Sequence, residues 1–285
     1  QSWFEKFLEL PHGIPSHDTF GDVFSVLDPE QFRRSFIQWV QAVSEVTEGQ
    51  IVPIDGKKLR RSHDKTLGKN AIHMVSAWAA ENHVVLGQIK VNDKSNEITA
   101  IPQLLDLLEI SGCIVTIDAM GCQREIARKI VEDKDADYVL ALKGNQSGLF
   151  EDVKSLFERA QEAGFENCEH HRTEEKGHGR SEVRECWTLS DAESLAGIQS
   201  LANWQDLRTV IMVSSERCVG DKRSEENRYY ISSLSGDAKQ ALEAVRGHWG
   251  IENKVHWVLD IAFREDDCRI RKGNGAQNFA ILRHI

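Results

Sequence analysis

The sequence predicts an α/β protein: a mixed sheet flanked by helices, with a β-rich insertion and a small helical domain at the N-terminus. Three observations carry that prediction. From 50 to 143, short β-branched runs alternate with segments of helical period. From 168 to 233, strand-like runs crowd together with charged stretches between them. From 237 to 263, apolar residues recur at helical spacing over one long stretch. The 285 residues suffice for a full core, as one large domain or two smaller ones.

In chain order, Ser16 or Asp18 caps a first helix bearing Phe20, Val23, Phe24 and Leu27. Pro29 opens a second, with Phe32, Phe36, Trp39 and Val40 on one face. Strands are expected at 51–55, 72–79 and 84–91, the last two joined by a short turn at 81–83. A helix at 98–110, a strand at 113–118, a helix at 123–133 and a strand at 137–142 follow. After a helix at 147–163, strands are expected at 183–189, 208–216 and 228–233. The expected division is a helical domain over 1–48, a core over 49–163, the insertion over 164–236 and returning core helices over 237–285.

Composition narrows the function classes. An apolar fraction of 40% and a charged fraction of 28% describe an ordinary globular chain. Six cysteines, at 113, 122, 168, 186, 218 and 268, form no C-x-x-C pair, which predicts reduced thiols and a cytoplasmic location rather than a zinc ribbon or disulfide framework. No apolar run reaches eighteen residues, so no membrane partner is expected. The opening residues do not read as a secretory leader. The absence of an initiator methionine points to a start inside a longer reading frame. The net charge of −10 is unusual for a nucleic-acid protein, but the charge is uneven. Residues 51–70 carry six bases (Lys57, Lys58, Arg60, Arg61, Lys65, Lys69) against two acids. Such a patch either steers a polyanion or is a solvated loop.

The stretches V-P-I-D-G-K-K and I-V-T-I-D-A-M each end a β-branched run on an aspartate, Asp55 and Asp118. Two carboxylates at the tips of neighbouring strands converge as a hard divalent cation requires. Glu252 is the third acid. Val245, Trp249, Glu252, His256, Leu259 and Phe263 share one helical face, which predicts an inward glutamate, either paired or on a metal. Gly247 and Gly250 would let something large approach that helix. Three such carboxylates around two Mg²⁺ ions suit phosphoryl transfer. A zinc site from His248, Glu252 and His256 is disfavoured, because three ligands on one straight helix span too far.

Several motifs occur together and in order: V-P-I-D-G-K-K-L-R-R-S, G-Q-I-K-V-N-D-K-S-N-E-I-T-A-I-P, I-D-A-M-G-C-Q, A-L-K-G-N-Q, G-H-G-R-S-E-V-R, R-Y-Y-I-S-S-L and H-W-G-I-E-N-K-V-H-W-V-L-D. From Gly13 to the last residue the chain resembles an H-repeat-associated insertion-sequence transposase of the DDE superfamily. The resemblance implies an RNase H-like core, with Asp55, Asp118 and Glu252 binding two Mg²⁺ or Mn²⁺ ions for DNA strand cleavage and transfer at insertion-sequence ends. It further implies a homodimer on DNA, at the nucleoid. Broader relatives carry Y-x2-R-x3-E-x6-K around the third acid; here Val245, His248, Glu252 and Leu259 fill those positions, so only the glutamate is kept. His248, Arg246 or Lys254 would then replace the missing phosphate clamp. Family members also extend further at both ends, so the alternative is a truncated, inactive DNA-binding remnant.

Further DNA contacts are expected from Lys57, Lys58, Arg60 and Arg61 beside Asp55, from Lys143 after the strand at 137–142, and from His178, Arg180 and Arg184. Arg180 and Arg184, four apart on a strand, share a face suited either to phosphate or to a charged edge that blocks aggregation.

Overall fold

The computed structural model describes residues 3–44, 46–63, 68, 70–92, 95–177 and 179–285. It begins with two helices, α1 (His17–Val26) and α2 (Pro29–Val43). Ser16 caps the first by accepting from Thr19 N, and Asp28 caps the second by accepting from Gln31 N, with Pro29 at the first helical position. Phe36, Ile37 and Val40 bury the inner face of α2.

Strands β1 (Ile51–Lys58), β2 (His73–Ala79) and β3 (Val84–Lys90) form an antiparallel meander. Helix α3 (Glu97–Asp106) crosses to β4 (Ile114–Ile117), parallel to β1. Helix α4 (Arg124–Arg128), prolonged by a π-helical turn over Lys129–Asp133, crosses to β5 (Asp137–Leu142), parallel to β4. After α5 (Ser147–Glu162) come β6 (Glu169–Gly177) and β7 (Arg180–Leu189), the short α6 (Ala192–Leu195), then β8 (Thr209–Val219) and β9 (Lys222–Ser232). The chain returns through α7 (Ala238–Gly250), a π-helical turn over Ile251–His256, α8 (Trp257–Ile261) and α9 (Gly275–Arg283).

All nine strands join one sheet, in the order β3-β2-β1-β4-β5-β9-β8-β7-β6. The β-rich stretch is therefore not a separate sheet; it extends the core sheet through the antiparallel pair β5–β9, from Val139↔Ser232 to Leu142↔Tyr229. Two serines fasten this seam. Ser232 Oγ donates to Tyr138 O at 2.7 Å, while Tyr138 N donates to Ser233 Oγ at 2.9 Å.

β6 forms where the sequence suggests a charged loop. Its run E-H-H-R-T-E-E-K lacks the apolar alternation of a half-buried strand because both faces are largely solvated. It is the sheet's edge, carrying the charges that discourage pairing with another chain. Cross-strand side chains hold it, including His170 stacked on Trp187 with centroids 5.0 Å apart.

Helices α3, α4 and α5 cover one face of the sheet, contributing Ile101, Leu104, Ile126, Val153 and Phe157 to the main core. Helix α7 lies on the other face, packing Ala238, Ala241, Leu242, Ala244 and Val245 against Ile114, Val139, Ile211 and Val213. Small residues let α7 approach closely. A Cβ on Gly247 would stand 2.9 Å from Ile51 Cδ1, and one on Gly250 would stand 2.5 Å from Trp78 Cζ3. The large group admitted at Gly250 is thus the protein's own Trp78, on β2. All six cysteines are free, and burial pushes Cys122 and Cys186 up to about 12, leaving them as core filler.

Gly250→Ala tests this contact. Helix propensity alone would favour alanine by ~1 kcal/mol, whereas overpacking against Trp78 costs about 1–3 kcal/mol. The expected outcome is a lower melting temperature; a higher one would show that α7 can yield.

Candidate active site

β1 and β4 run side by side in the same direction, and their register ends at Ile54↔Ile117. Asp55 and Asp118 are the next residues on each strand. Neighbouring strands lie about 4.8 Å apart, so the two aspartates stand at the same level, where the parallel β1–β4 pairing ends. Asp118 follows the last residue of β4, whereas Asp55 lies within β1 rather than at its tip as the sequence suggests. Beyond Ile54, β1 continues with β2 alone, placing Asp55 opposite Ser76. Asp118 caps the turn that follows it: Oδ1 accepts from Met120 N at 3.0 Å and Gly121 N at 3.3 Å. Gly121 is required there because a Cβ would collide with Ile117. Asn145 Nδ2, donating to Ala119 O at 2.6 Å, ties this turn to the end of β5.

Glu252 departs from expectation. It is exposed rather than inward, and so are Trp249 and Phe263. Trp249 is already exposed within α7, and from Ile251 on the extra residue of the π-helical turn takes the chain off an ideal 3.6-residue repeat. Ile251 and Val255 are inward instead, while Val245, His256 and Leu259 are buried as the helical face predicts. Glu252 nevertheless lines the same cleft of about 360 Å³ as Asp55 and Asp118, together with Lys143, Arg228, Tyr230 and Trp249.

Burial, reinforced by repulsion from Glu97, Asp118 and Glu252, raises the Asp55 carboxyl to about 7; the backbone hydrogen bond at Gly56 partly opposes this. Among the described residues, no group of three His, Cys, Asp or Glu side chains is placed to hold a metal ion. The donor set still suits a hard divalent cation: Asp55, Asp118 and Glu252 offer oxygen ligands along one cleft, and an ion would offset the repulsion among them. Glu252 stands on the rim and must close inward to take part.

His256 is 8% exposed and turns Nδ1 toward Asp55 Oδ2 at 3.5 Å, while its Nε2 has no partner among the described residues. Burial, then the neighbouring Lys57, His284 and His248, lower its pKa to about 4. His248 is half-buried and lines the same cleft; its Nδ1 lies 3.1 Å from Thr116 Oγ1 on β4, and burial lowers its pKa.

Lys65 and Lys69 fall outside the described residues, and three of the other four bases of the patch are ion-paired. The Lys57 side chain is 10% exposed and pairs with Asp260 at 2.7 Å and Asp266 at 3.5 Å. Arg60 and Arg61 pair with Asp266 and Asp267, both at 3.1 Å. Only Lys58 of the four is exposed without such a pair among the described residues. Lys143 is exposed on the cleft. Arg180 is exposed at the start of β7, and Arg184 is held by Glu175 at 3.1 Å and Glu182 at 2.7 Å. Lys254 lies over the Trp78 ring at 5.6 Å. His178 falls outside the described residues.

Two features escaped sequence reasoning. Arg228 stacks over Trp249, 4.9 Å from the ring, a cross-chain contact no local pattern reveals. Glu97, buried at the start of α3, pairs with His73 at 2.8 Å. Its signal was present, since it precedes Ala100, Ile101, Leu104 and Leu105 on the inward face of α3.

No described helix is long and apolar enough to cross a membrane. A family profile described as the transposase DDE domain matches residues 46–285, and one described as associated with it matches residues 1–40. The chain is 44% identical over 278 residues to YncI of Escherichia coli O157:H7, provisionally named a transposase, covering 96% of this chain and 70% of that protein. It is 40% identical over 289 residues to YhhI of Escherichia coli K12, provisionally named an H repeat-associated transposase, covering 99% and 75%. With two aspartates level on parallel strands, a glutamate on the rim of their cleft and a profile spanning almost all of that framework, the chain belongs to the transposase DDE domain family.

Proposed function

We propose that the chain is a metal-dependent DNA strand-transfer enzyme whose catalytic acids are Asp55, Asp118 and Glu252, acting at insertion-sequence ends. The observation that carries this reading is the shared level of Asp55 and Asp118 where the parallel β1–β4 pairing ends. An antiparallel β1–β2–β3 meander followed by parallel β4 and β5 supports an RNase H-like core, with 164–236 inserted before the third acid and 1–48 as an N-terminal helical unit. Family relatives named as transposases supply DNA as the substrate class.

Two Mg²⁺ or Mn²⁺ ions, when bound, would supply activation of the attacking oxygen and charge stabilisation at the phosphate. The chain's own residues do the rest. Asp118, with one oxygen fixed by two backbone amides, presents a preset ligand. Asp55 gives up its proton on loading. Glu252, on the π-helical turn, closes from the rim. Lys143 and Arg228 line the cleft, Arg180 and Arg184 line the adjoining groove and Lys58 is exposed on β1; all five would position DNA phosphates. A dimer on DNA fits an enzyme that must hold two ends.

Asp118→Asn keeps an oxygen for the cap and removes the charge. Mn²⁺-dependent nicking of a plasmid carrying a relative's end sequence should fall roughly 10³-fold, about 4 kcal/mol of transition-state stabilisation. Unchanged nicking would sink the triad, and DNA binding without nicking in the wild type would mark an inactive remnant.

The two lysines near the site should behave differently. Lys143→Ala should leave the melting temperature alone and reduce the slope of log affinity for DNA against log salt by about 1. Lys57→Ala, which removes the shared partner of partly exposed Asp260 and Asp266, should cost about 1–2 kcal/mol of stability. The opposite pattern would return Lys57 to the DNA surface.

His256 links the site to acid stability. Its folded pKa, about 4, lies below an ordinary histidine's, so the unfolded state takes up a proton first as pH falls. Stability from the neutral imidazole is thus complete above about 6.5 and declines as pH falls toward 4, by about 2 kcal/mol at pH 5. Asp55, raised to about 7, works in the opposite direction over much of that range. In metal-free urea titrations, His256→Gln should therefore gain about 2 kcal/mol on wild type between pH 7.5 and pH 5. A constant difference would mean that His256 does not stay neutral.

A further inference from the structure

Glu97 has no assigned task in the reaction, yet its placement is costly. Its side chain is 11% exposed, and its hydrogen bond runs to His73 Nε2, 2.8 Å away on β2. It rests against Gly56, the residue after Asp55, so closely that a Cβ there would collide with its carboxylate and stand 2.7 Å from His73 Nε2. In an extended strand, successive side chains point to opposite faces. The face of β1 that Gly56 opens to Glu97 is therefore the one turned away from the Asp55 carboxylate. Glu97 consequently sits behind the strand end, and α3 delivers it there from its first turn. A glutamine would make the same hydrogen bond without the expense of burying charge. The Glu97 carboxylate thus lies against the residue next to Asp55 in β1, close enough for its charge to act on the same site. On the other side of Asp55, His256 is buried with one nitrogen unpartnered, so the partners around Asp55 do not neutralise it.

We propose that Glu97, clamped by His73 behind the end of β1, is a fourth acidic residue of this site. It is a positioning residue that strengthens divalent-cation binding by Asp55 and its partners without coordinating the ion. The inference rests on the reading of Asp55, Asp118 and Glu252 as the cation site. It assigns the buried charge a purpose: repulsion that destabilises the empty cluster becomes attraction once a cation arrives.

The test is Mn²⁺ calorimetry on the full chain, with thermal unfolding in metal-free buffer beside it. Glu97→Gln should bind Mn²⁺ about 10–100-fold more weakly, the loss usual for a supporting partner of a metal site, while its metal-free melting temperature stays level or rises. A purely structural Glu97 would instead lower the melting temperature. His73→Gln, which keeps a donor to Glu97 and removes the imidazole, should bind Mn²⁺ at least as tightly as wild type. Asp118→Asn separates the two readings. If it loses Mn²⁺ while Glu97→Gln binds like wild type, the role of Glu97 is overturned and the triad stands. If Asp118→Asn binds like wild type, the cation site itself fails and this inference falls with it. Should Glu97→Gln not fold, weaker Mn²⁺ binding by His73→Gln overturns the proposal.

Discussion

The parallel pairing of β1 with β4 is the constraint on which the rest of the structure depends. Its four-residue ladder, Ile51↔Ile114 to Ile54↔Ile117, sets two distant aspartates at one height. A slip of one residue would turn Asp55 to the opposite face and bring Ile54 to the cleft. The buried sides of both strands oppose that slip, because Val52, Ile54, Val115 and Ile117 are almost fully enclosed. Core packing and site geometry are thus specified by the same residues.

The last helical segment must then reach those aspartates from the other side of the sheet. Small residues along α7 set the separation, and the contacts of Gly247 with Ile51 and Gly250 with Trp78 fix it within one turn of Glu252. The π-helical turn begins directly after Gly250. A helix pinned on its glycines and interrupted just beyond them can hold its start firmly while presenting Glu252 on a less regular backbone. The same interruption seats Val255 and His256 against the sheet, so the mobility asked of the glutamate does not open the core.

Much of this was legible in the sequence. Local signals carried most of the strands, the helix starts at Ser16 and Pro29 and the aspartates that follow the two β-branched runs, since such runs and capping residues act over a few positions. Sequence reasoning failed where the deciding interaction is distant or the period breaks. Glu252 was assigned inward by assuming an unbroken 3.6-residue repeat, and the π-helical turn defeats that assumption. Lys57 read as a surface base because the acids that bury it, Asp260 and Asp266, lie some two hundred residues away. β6 was missed because an edge strand with two solvated faces has no apolar alternation to detect. The motif resemblance identified the family, but no motif shows that R-Y-Y-I-S-S-L is the seam between two parts of one sheet.

That seam has a mechanical consequence. Through β5–β9 the four outer strands continue the core sheet, fastened at Ser232 and Ser233 and covered at their root by α7 on Ile211 and Val213, and they end at the β8–β9 hairpin around Gly220. Displacement at the tip is resisted by a continuous hydrogen-bond ladder, so load applied there is carried back to β5, one strand from Asp118. The tip can lengthen, shorten or change its charges without altering the register at the root. A lineage of such proteins can therefore revise what the outer strands touch while the acids keep their places.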